Sequence, residues 1–124
     1  MAGKIIADTL EHSTAGSIAT NYVVEGSAKA WAAVLTVTSV GDSLNVASLT
    51  DDGGSAPNDY TIAYTSNMNS ANFSVTATVD ALAPRIAAVD NKSASGFSLN
   101  IYVSNSPTTA TGNNADFTVH GDLA

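Results

Sequence analysis

The sequence offers few side chains for metal or nucleophilic chemistry, because it has two histidines, His12 and His120, and no cysteine. His12 lies close to Asp8 and Glu11, and these three side chains could in principle supply nitrogen and oxygen ligands to a metal ion. The surrounding segment is polar and shows no scaffold that would hold ligand geometry. We therefore interpret His12 as part of a solvated polar arm and His120 as an outward side chain of the last strand. We expect no bound metal and no cofactor.

The serines and acids do not form a recognisable catalytic motif. The three Gly-Ser pairs do not match the Gly-x-Ser-x-Gly elbow of a serine hydrolase. A β-sandwich glycosidase needs a pair of strand-borne acids, but both glutamates, Glu11 and Glu25, lie in or beside the N-terminal region. No phosphate-binding or dinucleotide motif occurs. The sequence predicts no catalytic residues, and we expect a protein that is not an enzyme.

One turn carries oxygen ligands of the kind that calcium prefers. Asp51, Asp52, Asn58 and Asp59 flank a Gly-rich segment, but their spacing differs from that of an EF-hand loop. The same residue types are those that form ordinary turns. Turn formation is the better interpretation, and calcium binding stays open as the alternative.

Composition limits both the partners and the size of the core. The 124 residues include 11 acidic and 4 basic side chains, giving a net charge of −7, which disfavours binding to nucleic acid or to anionic membrane surfaces. No apolar run approaches the roughly 18 residues of a membrane span. Leu, Ile, Val and Phe make up about 22 % of the chain, just above the level of chains that do not fold alone. This composition favours a β protein that buries further area against copies of itself.

Alternating apolar and polar residues between frequent breakers predict about six or seven strands, hence an antiparallel β-sandwich or jelly roll. Residues 43–49 are predicted as one strand, with Leu44 and Val46 as its apolar pair. Residues 81–89 could form one helical turn, although Pro84 interrupts it. The other predicted strands are residues 29–37, 59–65, 71–79, 96–104 and a final one around Phe117 and Val119.

The strand at residues 29–37 differs from the others because both of its faces are apolar. Trp31, Ala33 and Leu35 share one face, whereas Ala30 and Ala32 lie on the other. A strand that is covered on both sides has this pattern. The strand therefore lies either in the centre of a sandwich or where two subunits meet.

Residues 1–22 form a polar segment with no strand alternation before Ile18. A free tail of this composition would be disordered, whereas an arm lying across a neighbour would gain order from the contact. We divide the chain into an extended N-terminal arm, residues 1–22, and a β-sandwich domain, residues 23–124.

Several short motifs, in order, resemble virion structural proteins of tailed bacteriophages, in particular the tail-fibre knobs and small head proteins of marine phages. One is the run Gly26-Ser27-Ala28-Lys29-Ala30-Trp31, preceded by the similar segment 7–17. The next is residues 42–51, which include Asn45-Val46-Ala47-Ser48-Leu49-Thr50-Asp51. Residues 59–62 and 68–75 follow in the family's order. The resemblance extends over residues 7–79.

The resemblance implies a trimeric, mostly β, non-enzymatic module of the virion. In such a trimer Trp31, Ala33 and Leu35 would lie at the interface, where small residues let three backbones approach closely. The sequence shows no fibre shaft, so we expect a decoration protein on the outer head surface that binds the major capsid protein. Its N-terminal arm would grip the shell through Ile5, Ile6, Leu10, His12 and Ile18. The alternative is a receptor- or glycan-binding knob of a tail or head fibre.

Overall fold

The computed structural model of the protein describes residues 9–12, 16–19, 23, 26–36, 39–51, 59–81, 83–103 and 114–124. For residues 10–12, 16–19, 34–36 and 39 it describes the backbone but not the side chains. This part of the chain forms ten β-strands: β1 (Thr9–His12), β2 (Gly16–Ala19), β3 (Ala30–Thr36), β4 (Ser39–Leu44), β5 (Val46–Asp51), β6 (Asp59–Tyr64), β7 (Ser74–Asp80), β8 (Arg85–Ser93), β9 (Gly96–Val103) and β10 (Asn114–His120).

Eight of these strands form two four-stranded antiparallel sheets. The first sheet has the order β4-β3-β10-β7 and the second has the order β5-β6-β9-β8. The sheets face each other, since the ring of Phe97 in β9 meets the ring of Phe117 in β10 edge to face, with centroids 5.1 Å apart. The predicted all-β antiparallel sandwich is confirmed.

The two sheets contribute side chains of different size to the core. The second sheet supplies the bulky residues, with Tyr60, Ile62 and Leu99 fully buried. The inner face of the first sheet carries three buried alanines, Ala30, Ala32 and Ala115, beside Phe117 and Val119. Large side chains opposite small ones fill the space between two sheets without voids. The few bulky apolar residues of the chain are thus sufficient for one core.

The predicted single strand at residues 43–49 is wrong, because the structure divides it between the two sheets. β4 ends at Leu44, β5 begins at Val46, and Asn45 between them has a φ of 57°. In a continuous strand Leu44 and Val46 would share a face. The left-handed conformation of Asn45 turns the chain, so Leu44 is 48 % exposed on the first sheet while Val46 packs against the core from the second.

The possible helical turn at residues 81–89 is also wrong, since Arg85–Ser93 is strand β8. Ala87 and Val89 alternate toward the core cluster, as strand residues do. Pro84 lies immediately before the strand, where a missing N–H does not interrupt a ladder.

The N-terminal segment contains paired strands where the sequence predicted none before Ile18. Thr9–His12 and Gly16–Ala19 form a two-stranded antiparallel hairpin in which Leu10 and Ile18 are directly opposite. Hairpin pairing satisfies backbone groups between strands and needs little apolar alternation, which explains why the sequence pattern did not reveal it.

Tyr64 introduces a polar atom into the aromatic part of the core. Its ring packs against Phe73 and Phe97, at centroid distances of 5.8 and 6.1 Å. The buried hydroxyl has no hydrogen-bond partner within the described residues. Burial raises the pKa of Tyr64, because the phenolate would lose its hydration.

We expect Tyr64→Phe to stabilise the fold by about 1 kcal/mol, since it removes an unsatisfied polar atom and keeps the ring. The wild-type free energy of unfolding should fall above pH of about 10, because the unfolded tyrosine then loses a proton that the folded one keeps. The variant should show a shallower fall. Urea unfolding at several pH values measures both effects.

Tyr102→Phe is the matched control, because Tyr102 is partly exposed on the outer face of the second sheet. It should leave the free energy of unfolding at neutral pH nearly unchanged. A Tyr64→Phe protein less stable than the wild type would show that the hydroxyl has a partner.

Candidate self-association surface

Trp31 projects from the outer face of the first sheet, away from the core. Strand alternation in β3 directs Ala30 and Ala32 inward, where they are 0 % and 2 % exposed. Trp31 is 37 % exposed, and Ala33 is partly exposed on the same face. Within one copy, therefore, only one face of this strand is covered by the sandwich. Leu35, the third residue expected at a subunit interface, lies in β3, but its side chain is outside the described part.

Trp31 has an apolar neighbour on one side and hydroxyl groups on the other. Its cross-strand partner in β4 is Leu44, which is 48 % exposed. Its partner in β10 is Thr118, and the next residue in that row is Thr76 of β7. The outer face of the first sheet is thus apolar near β3 and β4 and polar near β10 and β7.

A groove continues the apolar surface beyond Leu44. It has a volume of about 510 Å³ and is lined by the residues just before β3, the end of β4, the residues just after β6 and the C-terminal segment, including Leu44, Asn45 and Leu123. Leu123 is 45 % exposed. We call Trp31, Leu44 and Leu123 the apolar patch.

The C-terminal residues are positioned by a loop that closes this end of the sandwich. Met68, which is buried, forms an isolated β-bridge with Leu123. The Asn69 amide donates to the Asp122 carbonyl at 2.7 Å, and the Ala124 amide donates to the Asn67 carbonyl at 3.0 Å. The backbone carrying Leu123 is therefore attached to the core through Met68.

Asn45 links the two sheets beside the patch. Its Nδ2 donates to the Lys29 carbonyl at 3.1 Å, just before β3 of the first sheet, and to the Ser66 carbonyl at 3.0 Å, just after β6 of the second. Its Oδ1 accepts from the Ser66 amide at 2.6 Å. Its backbone carbonyl accepts from the Thr65 amide at 3.3 Å. One side chain thus determines the direction of the chain at Leu44 and the spacing of the sheets there.

His120 has a structural contact consistent with its predicted outward position. Its Nδ1 lies 3.1 Å from the Gly26 carbonyl oxygen, to which it must donate because a carbonyl only accepts. The Lys29 amide also donates to the Val119 carbonyl at 2.8 Å. These bonds hold the segment that precedes β3 against the end of β10.

The residues expected to contact a capsid are only partly within the described chain. Ile5 and Ile6 lie outside it. Leu10 and Ile18 are brought opposite each other in the hairpin, and His12 is opposite Gly16. The side chains of these three residues are outside the described part.

The described residues contain no group of three or more metal-ligating side chains. Of the turn considered for calcium, Asp51 and Asp59 belong to strands, whereas Asp52 and Asn58 lie outside the described residues. Asp51 lies beside Tyr60, whose pKa is raised first by burial and second by that carboxylate.

No helix among the described residues is long and apolar enough to cross a membrane.

Of the residues on this surface, Trp31 and Ala33 are predicted from the sequence as interface candidates, but Leu44 and Leu123, which are also exposed, are not. The sequence predicts Leu44 as the apolar partner of Val46 on one continuous strand, because alternation alone does not indicate the turn at Asn45. The enrichment of asparagine at positive φ is the signal that could have indicated it. Leu123 followed the last predicted strand and carried no periodicity.

No family model, curated protein or solved structure matches the chain.

We expect Asn45→Gly to destabilise the protein by about 2 kcal/mol. Glycine keeps the positive φ without strain, so the loss reports the three side-chain hydrogen bonds. Asn45→Ala should cost about 1 kcal/mol more, because alanine is strained in that conformation. Urea unfolding measures both values.

Asn91→Gly is the matched control, since Asn91 also has a positive φ, 49°, but its amide donates a single side-chain bond, to Ser98 Oγ at 3.3 Å. It should cost less than half as much. Equal losses at Asn45 and Asn91 would contradict the role assigned to Asn45.

Proposed function

We propose that the chain is a structural protein of a tailed-bacteriophage virion that decorates the outer surface of the head as a homotrimer. The observation that carries the proposal is the outward position of Trp31 on a strand whose other face completes the core. The resemblance of residues 7–79 to phage virion proteins gives the setting. We assign it no enzymatic role.

The apolar patch supplies a reason for self-association. Exposed Trp31 and Leu44 lie side by side, and burial of their remaining apolar surface would stabilise an interface in proportion to the area removed from water. Ala33, next along the outward face, is small enough to let another backbone approach. Because tryptophan is enriched among the residues that dominate interface energy, Trp31 is the centre of the proposed contact.

The N-terminal hairpin supplies a reason for a second partner. β1 and β2 pair with each other and with no other strand in the described chain. A two-stranded hairpin is marginally stable by itself in water. Contact with the major capsid protein through Ile5, Ile6, Leu10, His12 and Ile18 would stabilise it, as expected of a segment that attaches the trimer to a shell.

We expect Trp31→Ala to dissociate the trimer while each copy stays folded, since the ring is partly exposed in a single copy. The substitution should weaken the free energy of association by about 2 kcal/mol or more per interface. Sedimentation equilibrium should give three times the 12.5 kDa chain mass for the wild type and a lower mass for the variant.

Ile86→Ala is the control, because Ile86 is 50 % exposed on the other sheet. It should leave the oligomer unchanged. A wild-type protein that stays monomeric at high concentration, or a Trp31→Ala protein with an unchanged oligomer, would contradict the proposed interface.

Deletion of residues 1–20 should leave a folded trimer that no longer attaches to the capsid. Mixing the intact protein with undecorated phage heads should saturate fixed lattice points, visible by electron microscopy, whereas the shortened protein should not bind. Binding to host cells instead of heads would reject the decoration role and favour the receptor-binding knob.

A further inference from the structure

β7 differs from the other three edge strands of the sandwich in its regularity. β4, β5 and β8 each pair with their neighbour through at least one register shift. β7 pairs with β10 without interruption, from Ser74 opposite His120 to Asp80 opposite Asn114. Proteins commonly protect sheet edges with bulges, prolines or charges, because a regular open edge is a template for another strand.

The composition of β7 does not protect it either. Its first six residues, Ser74 to Val79, carry no charge and no proline, and the single charge is Asp80 at the end. β8, by contrast, contains Arg85, Asp90 and Lys92. Among the described strands, none pairs with β7 on its outer side.

The inward residues of β7 are incompletely covered. Val75, Ala77 and Val79 face the core cluster but keep part of their surface exposed. Thr76 and Thr78 are exposed on the outer face. A strand added beside β7 would therefore bury apolar surface as well as satisfy backbone groups.

We propose that β7 pairs antiparallel with β7 of a second copy of this chain, about a twofold axis through Ala77. In this register Thr76 lies opposite Thr78 of the second copy, and Val75 lies opposite Val79. Ser74 lies opposite Asp80, so the two acids do not meet. Directly opposite residues of two paired strands point to the same face of the sheet. A twofold axis between two residues would place an inward residue opposite an outward one, so the axis must pass through a residue. Only the register centred on Ala77 pairs all seven residues.

The partner is a second copy because the strand is complementary to itself. Val–Val pairs would extend the inner face and Thr–Thr pairs the outer face, both of which are favourable cross-strand combinations. The result is one continuous eight-stranded sheet across two copies. The inference does not rest on the phage assignment, and it uses a strand separated by β10 from the Trp31 surface.

The test exploits the absence of cysteine from the natural sequence. The Thr76→Cys and Thr78→Cys proteins are prepared, one of them with a tag that distinguishes heterodimers from homodimers. Each is oxidised alone and in a mixture with the other, and the disulfide-linked dimers are quantified. Directly opposite positions have Cβ atoms about 4.5–5.5 Å apart, whereas the two copies of Thr76 would be diagonal, about 7–8 Å apart. The mixture should give a heterodimer yield several-fold above either variant alone.

Thr118→Cys is the control, since Thr118 is exposed on the same face but in the interior strand β10. Its mixture with Thr78→Cys should give only background dimer. A Thr76→Cys/Thr78→Cys heterodimer yield no higher than that background would overturn the proposed pairing. So would a homodimer yield of Thr76→Cys alone that exceeds the heterodimer yield of the mixture. Unfolding midpoints confirm that each variant is folded.

The same mixture in a Trp31→Ala background separates this proposal from the proposed trimer. The Thr76–Thr78 crosslink should persist when Trp31 is removed, because the two contacts use different strands. Loss of the crosslink in that background would show that β7 pairing is not an independent contact.

Discussion

The sandwich depends on the packing of bulky side chains of the second sheet against a first sheet that presents alanines beside Phe117 and Val119. The second sheet carries Tyr60, Ile62 and Leu99 to the interior, and they share one core cluster with Ala30 and Ala32 of the first sheet. The core is therefore complete without the largest apolar side chain of β3. Because β3 directs its alanines Ala30 and Ala32 inward, Trp31 between them lies on the outer face. The alternation of side chains along β3 therefore accounts for both the buried alanines and the exposed ring.

The corner at Asn45 connects this core to the surface. A residue at positive φ between two strands sends Leu44 outward on one sheet and Val46 inward on the other. The amide of Asn45 then bonds to backbone groups beside both sheets, so the position of Leu44 is determined by the same contacts that hold the sandwich edge together. An exposed leucine next to Trp31 is thus maintained by the fold and does not depend on a flexible loop.

Strands with strict period-two alternation could be predicted from the sequence: β6, β7 and β9 lie close to the predicted ranges, and β10 contains the predicted Phe117 and Val119. The prediction failed where backbone conformation, not side-chain polarity, decides the path. A left-handed Asn45 divided one predicted strand into two, and a proline before β8 suggested an interrupted helix. The face that Trp31 occupies could also not be chosen from sequence, since Ala30 and Ala32 made both faces of β3 apolar. Only the register with β10, which places Ala32 opposite buried Phe117, assigns the inner face.

The two surfaces proposed for self-association impose different symmetries on the same sheet. A contact centred on Trp31 that closes a trimer is heterologous, whereas β7 pairing with itself is isologous about a twofold axis. They are separated by two strand spacings, about 10 Å, so one copy has room for both. If both contacts formed in solution, the twofold contacts would link trimers into larger assemblies, either closed or open. A strand pairing too weak to form between free trimers would still form where other contacts hold copies side by side, because the effective concentration there is high.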